Sequence, residues 1–144
     1  VNKTLGTVLQ TIVGTPNMVK ENLRKEALRN YSWHELDAGE QGNLQGNLAL
    51  LEAAGVKVML ADVDVTDFRD EGILGMFKDG RVLVAKKTLA DRQECLRVLV
   101  HEVAHKTSHA SDGSKDHVEE IEQIWSAVTT HLMGQLTLSA PVLN

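Results

Sequence analysis

Cysteine is almost missing from this chain, and that shortage narrows its setting. Cys95 stands alone among 144 residues, so no internal disulfide can form and a reducing, cytoplasmic location is expected. Aromatic residues are also few, at 3%, although 42% of the residues are hydrophobic. A packed core is therefore expected, built from Leu, Val, Ile, Ala and Met, and this argues against disorder. A basic excess is lacking: the net charge is -5, too acidic for a domain whose task is to neutralise phosphates, so no nucleic-acid partner is expected. No apolar run reaches the ~18 residues that a membrane helix needs. The N-terminus lacks the charged-then-apolar pattern of a signal peptide, so no membrane partner is expected either. Internal repeats and low-complexity stretches are absent. The chain opens on Val1 rather than Met, which suggests a piece of a larger multidomain protein, and its length suits one domain.

What is present begins with helical periods. Leu5, Val8, Leu9, Ile12 and Val13 form one stripe, ended by Gly14-Thr15-Pro16. A polar helix is expected over Met18 to Asn30, with Val19, Leu23, Ala27 and Leu28 inward, and a loop over Tyr31 to Gly42. Leu44, Leu48, Leu51 and Ala54 make a third stripe that Gly55 stops as a cap. From Val56 the period changes: Val56, Val58 and Leu60 alternate with Lys57 and Met59, predicting a strand that ends near Asp64. Ile73–Phe77 and Arg81–Ala85 flank Asp79-Gly80, a strong hairpin turn. Thr88 with Asp91 three residues on resembles a capping box for a helix over Leu89 to Ser108. A loop at 110–115 and a helix from Asp116 to Met133 follow, the latter with Val118, Ile121, Trp125, Val128 and Leu132 as its apolar face. The expected class is α+β, with a small antiparallel or mixed sheet beside the long helix and additional N-terminal helices. Residues 1–55 would be a helical segment packed on a domain spanning 56–144, together one compact unit.

The chemistry is concentrated in Val98-Leu99-Val100-His101-Glu102-Val103-Ala104-His105. Residues four apart share one helical face, so His101 and His105 can converge on one ion. Glu102 lies beside that face and can reach a water on the ion without ligating it, as a general base must. Zinc (Zn2+) suits two imidazoles and lowers the pKa of its water toward ~7. A solvated surface helix is the plainer reading. It fits poorly, because Leu96, Val98, Leu99, Val100, Val103 and Ala104 leave little width for solvent. A catalytic zinc needs a third protein ligand, and the candidates are His109, Asp112, His117, Glu119, Glu120 and Glu122. His109 has drifted about 40° round the helix from His105. His117 opens the next helix, which can fold back across the first, and leads the set with Asp112 as its alternative.

The hairpin Gly75-Met76-Phe77-Lys78-Asp79-Gly80-Arg81-Val82-Leu83-Val84-Ala85, followed by a helix bearing His101-Glu102-x-x-His105, resembles the compact zincin metallopeptidases of the SprT-like, WLM and ImmA/IrrE types. In the first two groups the third ligand is a His followed four residues later by an apolar residue, and His117 with Ile121 matches. The gap from His105 to His117 exceeds that of the shortest members, which keeps Asp112 open; the third group would favour Glu120 or Glu122. His101 to Trp125 is also similar to a zincin-like tail of Hsp90-like ATP-binding proteins. The likeness spans roughly residues 56–130. It implies a zincin-like fold and peptide-bond hydrolysis of a peptide or protein substrate, with His101 and His105 as ligands and Glu102 as base. The hairpin would hold the peptide by strand addition. Tyr31 and His109 are candidates for the oxyanion stabiliser. The rival reading is a non-catalytic zinc-binding regulatory or interaction domain.

Other polar groups have plainer readings. Asp62, Asp64, Asp67, Asp70 and Glu71 read as a solvated acidic loop rather than a cation site. Trp33-His34-Glu35 reads as loop packing, His131 as an exposed helical residue and Cys95 as buried and inert. Gly39, Gly42 and Gly46 are too loosely spaced for a phosphate loop.

Overall fold

The computed structural model of the chain describes residues 26–139. In chain order its elements are β1 (Ala27–Tyr31), α1 (Ala38–Ala53), β2 (Val63–Phe68), β3 (Gly75–Lys78), β4 (Arg81–Ala85), α2 (Arg92–Ser108) and α3 (Lys115–Ser139). The architecture is α+β, with a four-stranded mixed sheet in the order β1-β2-β4-β3. The β1–β2 and β3–β4 pairs are antiparallel, and β2–β4 is parallel. The hairpin forms where Asp79-Gly80 predicts it. Both residues take positive φ, 52° and 76°, the pair of left-handed conformations that a tight turn between twisted strands requires.

The helix α2 packs on one face of the sheet, and α1 and α3 pack against α2. Leu44, Leu48 and Leu51 of α1 share a core with Val63, Val65, Val82 and Val84 of the sheet, Val98, Leu99 and Val103 of α2, and Ile124 and Val128 of α3. Each such side chain contributes about 1.5–3 kcal/mol by leaving water. Asn43 and Asn47 of α1 donate to the carbonyls of Leu89 and Arg92 at 2.7 and 2.9 Å, which fixes α1 against the start of α2. The opposite sheet face carries a smaller cluster of Phe68, Leu83 and Ala85 with Ile73 and Met76. No described helix is long and apolar enough to cross a membrane.

Several expected boundaries move. The stripe from Leu5 to Val13, and the helix expected from Met18 up to residue 25, lie outside the described residues. The end of that expected helix is instead β1, with Leu28 exposed, because the open edge of β2 offers ladder partners that outweigh a weak helical preference. The loop expected over Tyr31–Gly42 contains a 3-10 turn at Trp33–Glu35, and α1 begins at Ala38. Asp37 and Glu40 form a reciprocal capping box there, at 2.7 and 3.0 Å, strong enough to start a helix that carries Gly39 and Gly42. Gly55 closes α1 as expected, at φ 88°.

The strand expected from Val56 lies further on. Val56 and Val58 are buried without a ladder, a 3-10 turn covers Leu60–Asp62, and pairing starts at Val63, where β1 and β4 are both within reach. The acidic residues thus belong partly to a central strand, and most have protein partners: Asp64 meets Arg81, Asp67 meets Tyr31, Asp62 meets Lys106 and the Met59 amide, and Asp70 meets the Gly72 amide. Thr88 is not the cap of α2. Its hydroxyl donates to the Ala85 carbonyl, and Asp91 caps the helix by accepting from the Glu94 amide at 3.0 Å. On α3 the inward positions are His117, Ile124 and Val128, with Ile121 and Trp125 partly buried, whereas Val118 and Leu132 face solvent.

Candidate metal centre

Buried Val98, Leu99, Val100, Val103 and Ala104 lock α2 into the core and leave His101 and His105 along one edge. The helix stops at His109, whose left-handed φ of 57° turns the chain while its amide donates to the His105 carbonyl at 3.0 Å. Residues 110–114 lead back to α3, and the Ser114 hydroxyl caps it by accepting the His117 amide at 3.2 Å. This reversal carries the His117 ring under α2, where it is 1% exposed. One donor atom from each of His101, His105, Asp112 and His117 then lies within 4.8 Å of the others.

Hydrogen bonding fixes how those rings present their nitrogens. His105 Nδ1 lies 2.9 Å from the Ala110 carbonyl, which can only accept, so Nδ1 carries the proton and Nε2 a lone pair. His117 Nε2 lies 3.1 Å from the His101 carbonyl and donates to it by the same logic. Its Nδ1 is left an acceptor, which the Gly113 amide meets at 3.3 Å. The Asp112 Oδ1 atom stands 3.0 Å from His101 Nε2, 3.5 Å from His105 Nε2 and 3.7 Å from His117 Nδ1. The His105 lone pair thus faces the carboxylate oxygen, and the His117 lone pair is shared with the Gly113 amide. A proton on the rings or a cation among the donors would bind the set together. Zinc–nitrogen and zinc–oxygen bonds of about 2.0–2.1 Å in a tetrahedron separate ligand atoms by roughly 3.3 Å, and the three measured distances straddle that value. The donor set, with its atoms within 4.8 Å of one another, could therefore hold a metal ion.

Glu102 lies outside this donor set. Its side chain is 8% exposed, with Oε1 3.8 Å from His101 Nε2. Beside it opens a cleft of about 540 Å³, lined by β3 and the residues before it, by Arg97, Val98, His101, Glu102 and His105 of α2, and by Ala110 to Asp112. Gly75 sets the spacing of the cleft wall. A Cβ at that position would stand 2.6 Å from Val98 Cγ1 and 2.9 Å from Glu102 Cγ, so the edge strand lies directly on the stem of Glu102.

Burial lowers the pKa of His101, and the neighbouring histidines add to this while Asp112 opposes it. For Asp112, burial acts to raise the pKa, but the His101 charge and hydrogen bond, with the other two rings, hold the carboxyl below its usual range. The rings are close: His105 and His117 stack at 3.8 Å between centroids, a contact that two imidazolium ions would resist.

Of the candidate third ligands, the structure brings both His117 and Asp112 to the pair on α2. It brings none of the others. His109 is exposed past the helix end, Glu119 faces Lys115, Glu120 accepts from Thr107 and Glu122 is exposed. Tyr31, one candidate oxyanion stabiliser, donates instead to Asp67 across the β1–β2 pair, and His109, the other, does not line the cleft. Sequence reasoning missed Gly75 and the Ala110 carbonyl. The first had a signal, a glycine at the start of a strand that approaches another backbone, and the second had none, because any residue supplies a carbonyl. The chain matches no protein-family model, no curated protein and no solved structure, and the chemistry of the site rests on its own geometry.

Proposed function

We propose that this domain is a zinc-dependent, zincin-like metallopeptidase module. The observation that carries this reading is the convergence of three histidines on one point, with a carboxylate, Glu102, set beside them at the wall of an open cleft. His101, His105 and His117 would hold the ion. Zinc there would supply Lewis acidity, polarising a carbonyl and bringing the pKa of a water toward ~7. Glu102 takes a proton from the attacking water and returns it to the leaving amine. Among the described residues the edge strand β3 pairs only on its β4 side, and it borders the cleft, which supports an extended peptide or protein as substrate, held by strand addition.

A second reading is favoured by Asp112, whose oxygen sits within hydrogen-bonding or ligand–ligand distance of all three rings. A permanent four-ligand set of three histidines and Asp112 would make the domain a non-catalytic zinc-binding regulatory or interaction module.

Elemental analysis of purified wild type beside His105→Ala and Glu102→Gln tests the main reading. About one zinc per chain is expected in wild type and in Glu102→Gln, and none in His105→Ala. Cleavage of an unfolded protein substrate should fall about 10²- to 10⁴-fold in Glu102→Gln with its metal retained. Unchanged cleavage in that variant would remove Glu102 from its role, and a metal-free wild type after zinc addition would remove the site.

A further inference from the structure

We infer that Asp112 is a displaceable fourth ligand, a latch that closes the metal centre at rest and gives way to an incoming oxygen donor. The inference rests on the metal-binding reading above and concerns how that site is regulated. Asp112 reaches the same point as the histidines from a very different support. Its side chain is 71% exposed, against 13% for His105 and 1% for His117. Among the described residues, the ion-pair and hydrogen-bond partners of its carboxylate are these histidines alone.

The backbone before Asp112 is pinned by the centre itself, where the Ala110 carbonyl accepts from His105. The Gly113 amide donates to His117 Nδ1, the lone pair that an ion would take, so that bond belongs to the metal-free loop. The carboxylate can leave by rotation of its own side chain, with the loop backbone and its Ala110 bond in place. Side-chain rotation of an exposed residue is fast, on the order of picoseconds to nanoseconds. Asp112 also lines the cleft, beside His101 and His105, so it shares their access to the space that a substrate enters. The histidines are less suited to be the latch. His105 is held by its bond to the Ala110 carbonyl and His117 is fully enclosed, while His101 is 40% exposed against 71% for Asp112. On exchange one carboxylate oxygen leaves the ion and one external oxygen takes its place. No covalent bond to carbon breaks and no electron is transferred.

A tethered ligand of this kind taxes every external one, because the apparent affinity falls with the fraction of open sites. An open fraction of about one-tenth to one-hundredth weakens an external ligand about 10- to 100-fold. The test loads wild type, Asp112→Ala and Asp112→Asn with cobalt(II), whose visible bands report coordination. Each is titrated with acetohydroxamate, and metal affinity is measured against a chelating dye. Both variants are expected to keep one metal per chain and to bind acetohydroxamate about 10- to 100-fold more tightly than wild type. Wild type is expected to reach the same final spectrum at higher hydroxamate. Loss of the metal from both variants, or a wild type that forms no hydroxamate adduct, would show a permanent ligand and overturn the latch in favour of the closed site. Equal hydroxamate affinity in all three proteins would show that Asp112 is not on the metal and would also overturn it, leaving the three-histidine centre intact. A wild type that takes up no cobalt or zinc would overturn the metal centre itself and the latch with it.

Discussion

His117 and Asp112 lie five residues apart and meet at the same point, yet the His117 side chain is 1% exposed and that of Asp112 71%. The difference separates two ways of holding a ligand. His117 is placed by the fold: its ring fills space under α2, donates to the His101 carbonyl and accepts from the Gly113 amide. Asp112 is placed by the other donors, with the histidines as the recorded partners of its carboxylate. A ligand of the first kind supports the protein with or without metal. One of the second kind matters only to what occupies the centre. Function divides the same way, since a preformed wall holds the ion while an adjustable ligand decides what else may approach it.

The contrast predicts its largest effect in metal-free protein. His117→Ala removes a ring from a closed site and takes one of two donors from the His101 carbonyl, which keeps its helical bond. The expected loss is about 2–4 kcal/mol of unfolding free energy, chiefly from the cavity, with a smaller part from the lost hydrogen bond. Asp112→Ala should change stability by less than about 0.5 kcal/mol under the same conditions, as surface substitutions do. Urea titration of the two chelator-treated variants checks this. Equal losses would break the comparison, because both residues would then be structural or neither would.

A smaller effect sharpens the same contrast at the opposite wall of the cleft. Gly75→Ala places a Cβ 2.6 Å from Val98 Cγ1 and 2.9 Å from Glu102 Cγ, so either β3 or Glu102 must shift. Overpacking of this kind costs about 1–3 kcal/mol. Trimming Val98 to Ala in the Gly75→Ala background should restore part of that loss, since the tightest contact disappears. Thermal denaturation of the single and double variants measures the coupling, and strictly additive losses would show that the wall is not rigid there.

The legible parts of this molecule are those whose geometry is local. The four-residue spacing of His101 and His105 fixes their shared face once a helix is granted, and Asp79-Gly80 fixes the hairpin. His117 was readable as a helix-opening residue on an element that folds back. Asp112 was weighed as its alternative, and the geometry gathers both, which depends on a reversal at His109 that no glycine marks. The element β1 was not readable for a related reason. Four of its five residues are exposed, so it carries no inward stripe, and its partners in β2 lie far along the chain. The valines misled for the opposite reason: Val56 and Val58 alternate as Val63 and Val65 do, but only the second pair joins the β4 ladder, where Val65 also meets Tyr31 of β1.

The smallest expected effect lies beside the centre, where Lys106 in the last turn of α2 pairs with Asp62 at 3.0 Å. Asp62 also accepts from the Met59 amide at 3.0 Å, and so braces the turn before β2 while reaching across to the helix that carries the histidines. The Met59 hydrogen bond first, and then Lys106, with a smaller pull from Arg81, hold the Asp62 carboxyl below its usual range. A carboxyl lowered on folding adds stability above its unfolded pKa of about 3.9, and that stability is lost as pH falls through the lower folded value. The pair is half open to solvent, so Asp62→Asn should cost under about 1 kcal/mol at neutral pH. The wild-type advantage over Asp62→Asn should hold from neutrality down to about pH 5, then shrink through the acid range and vanish below the folded pKa. Urea midpoints of the two chelator-treated proteins across that range would show it. A difference that instead grows toward acid pH would mean that the carboxylate is a burden on the fold rather than a brace, and that α2 is held by its core residues alone.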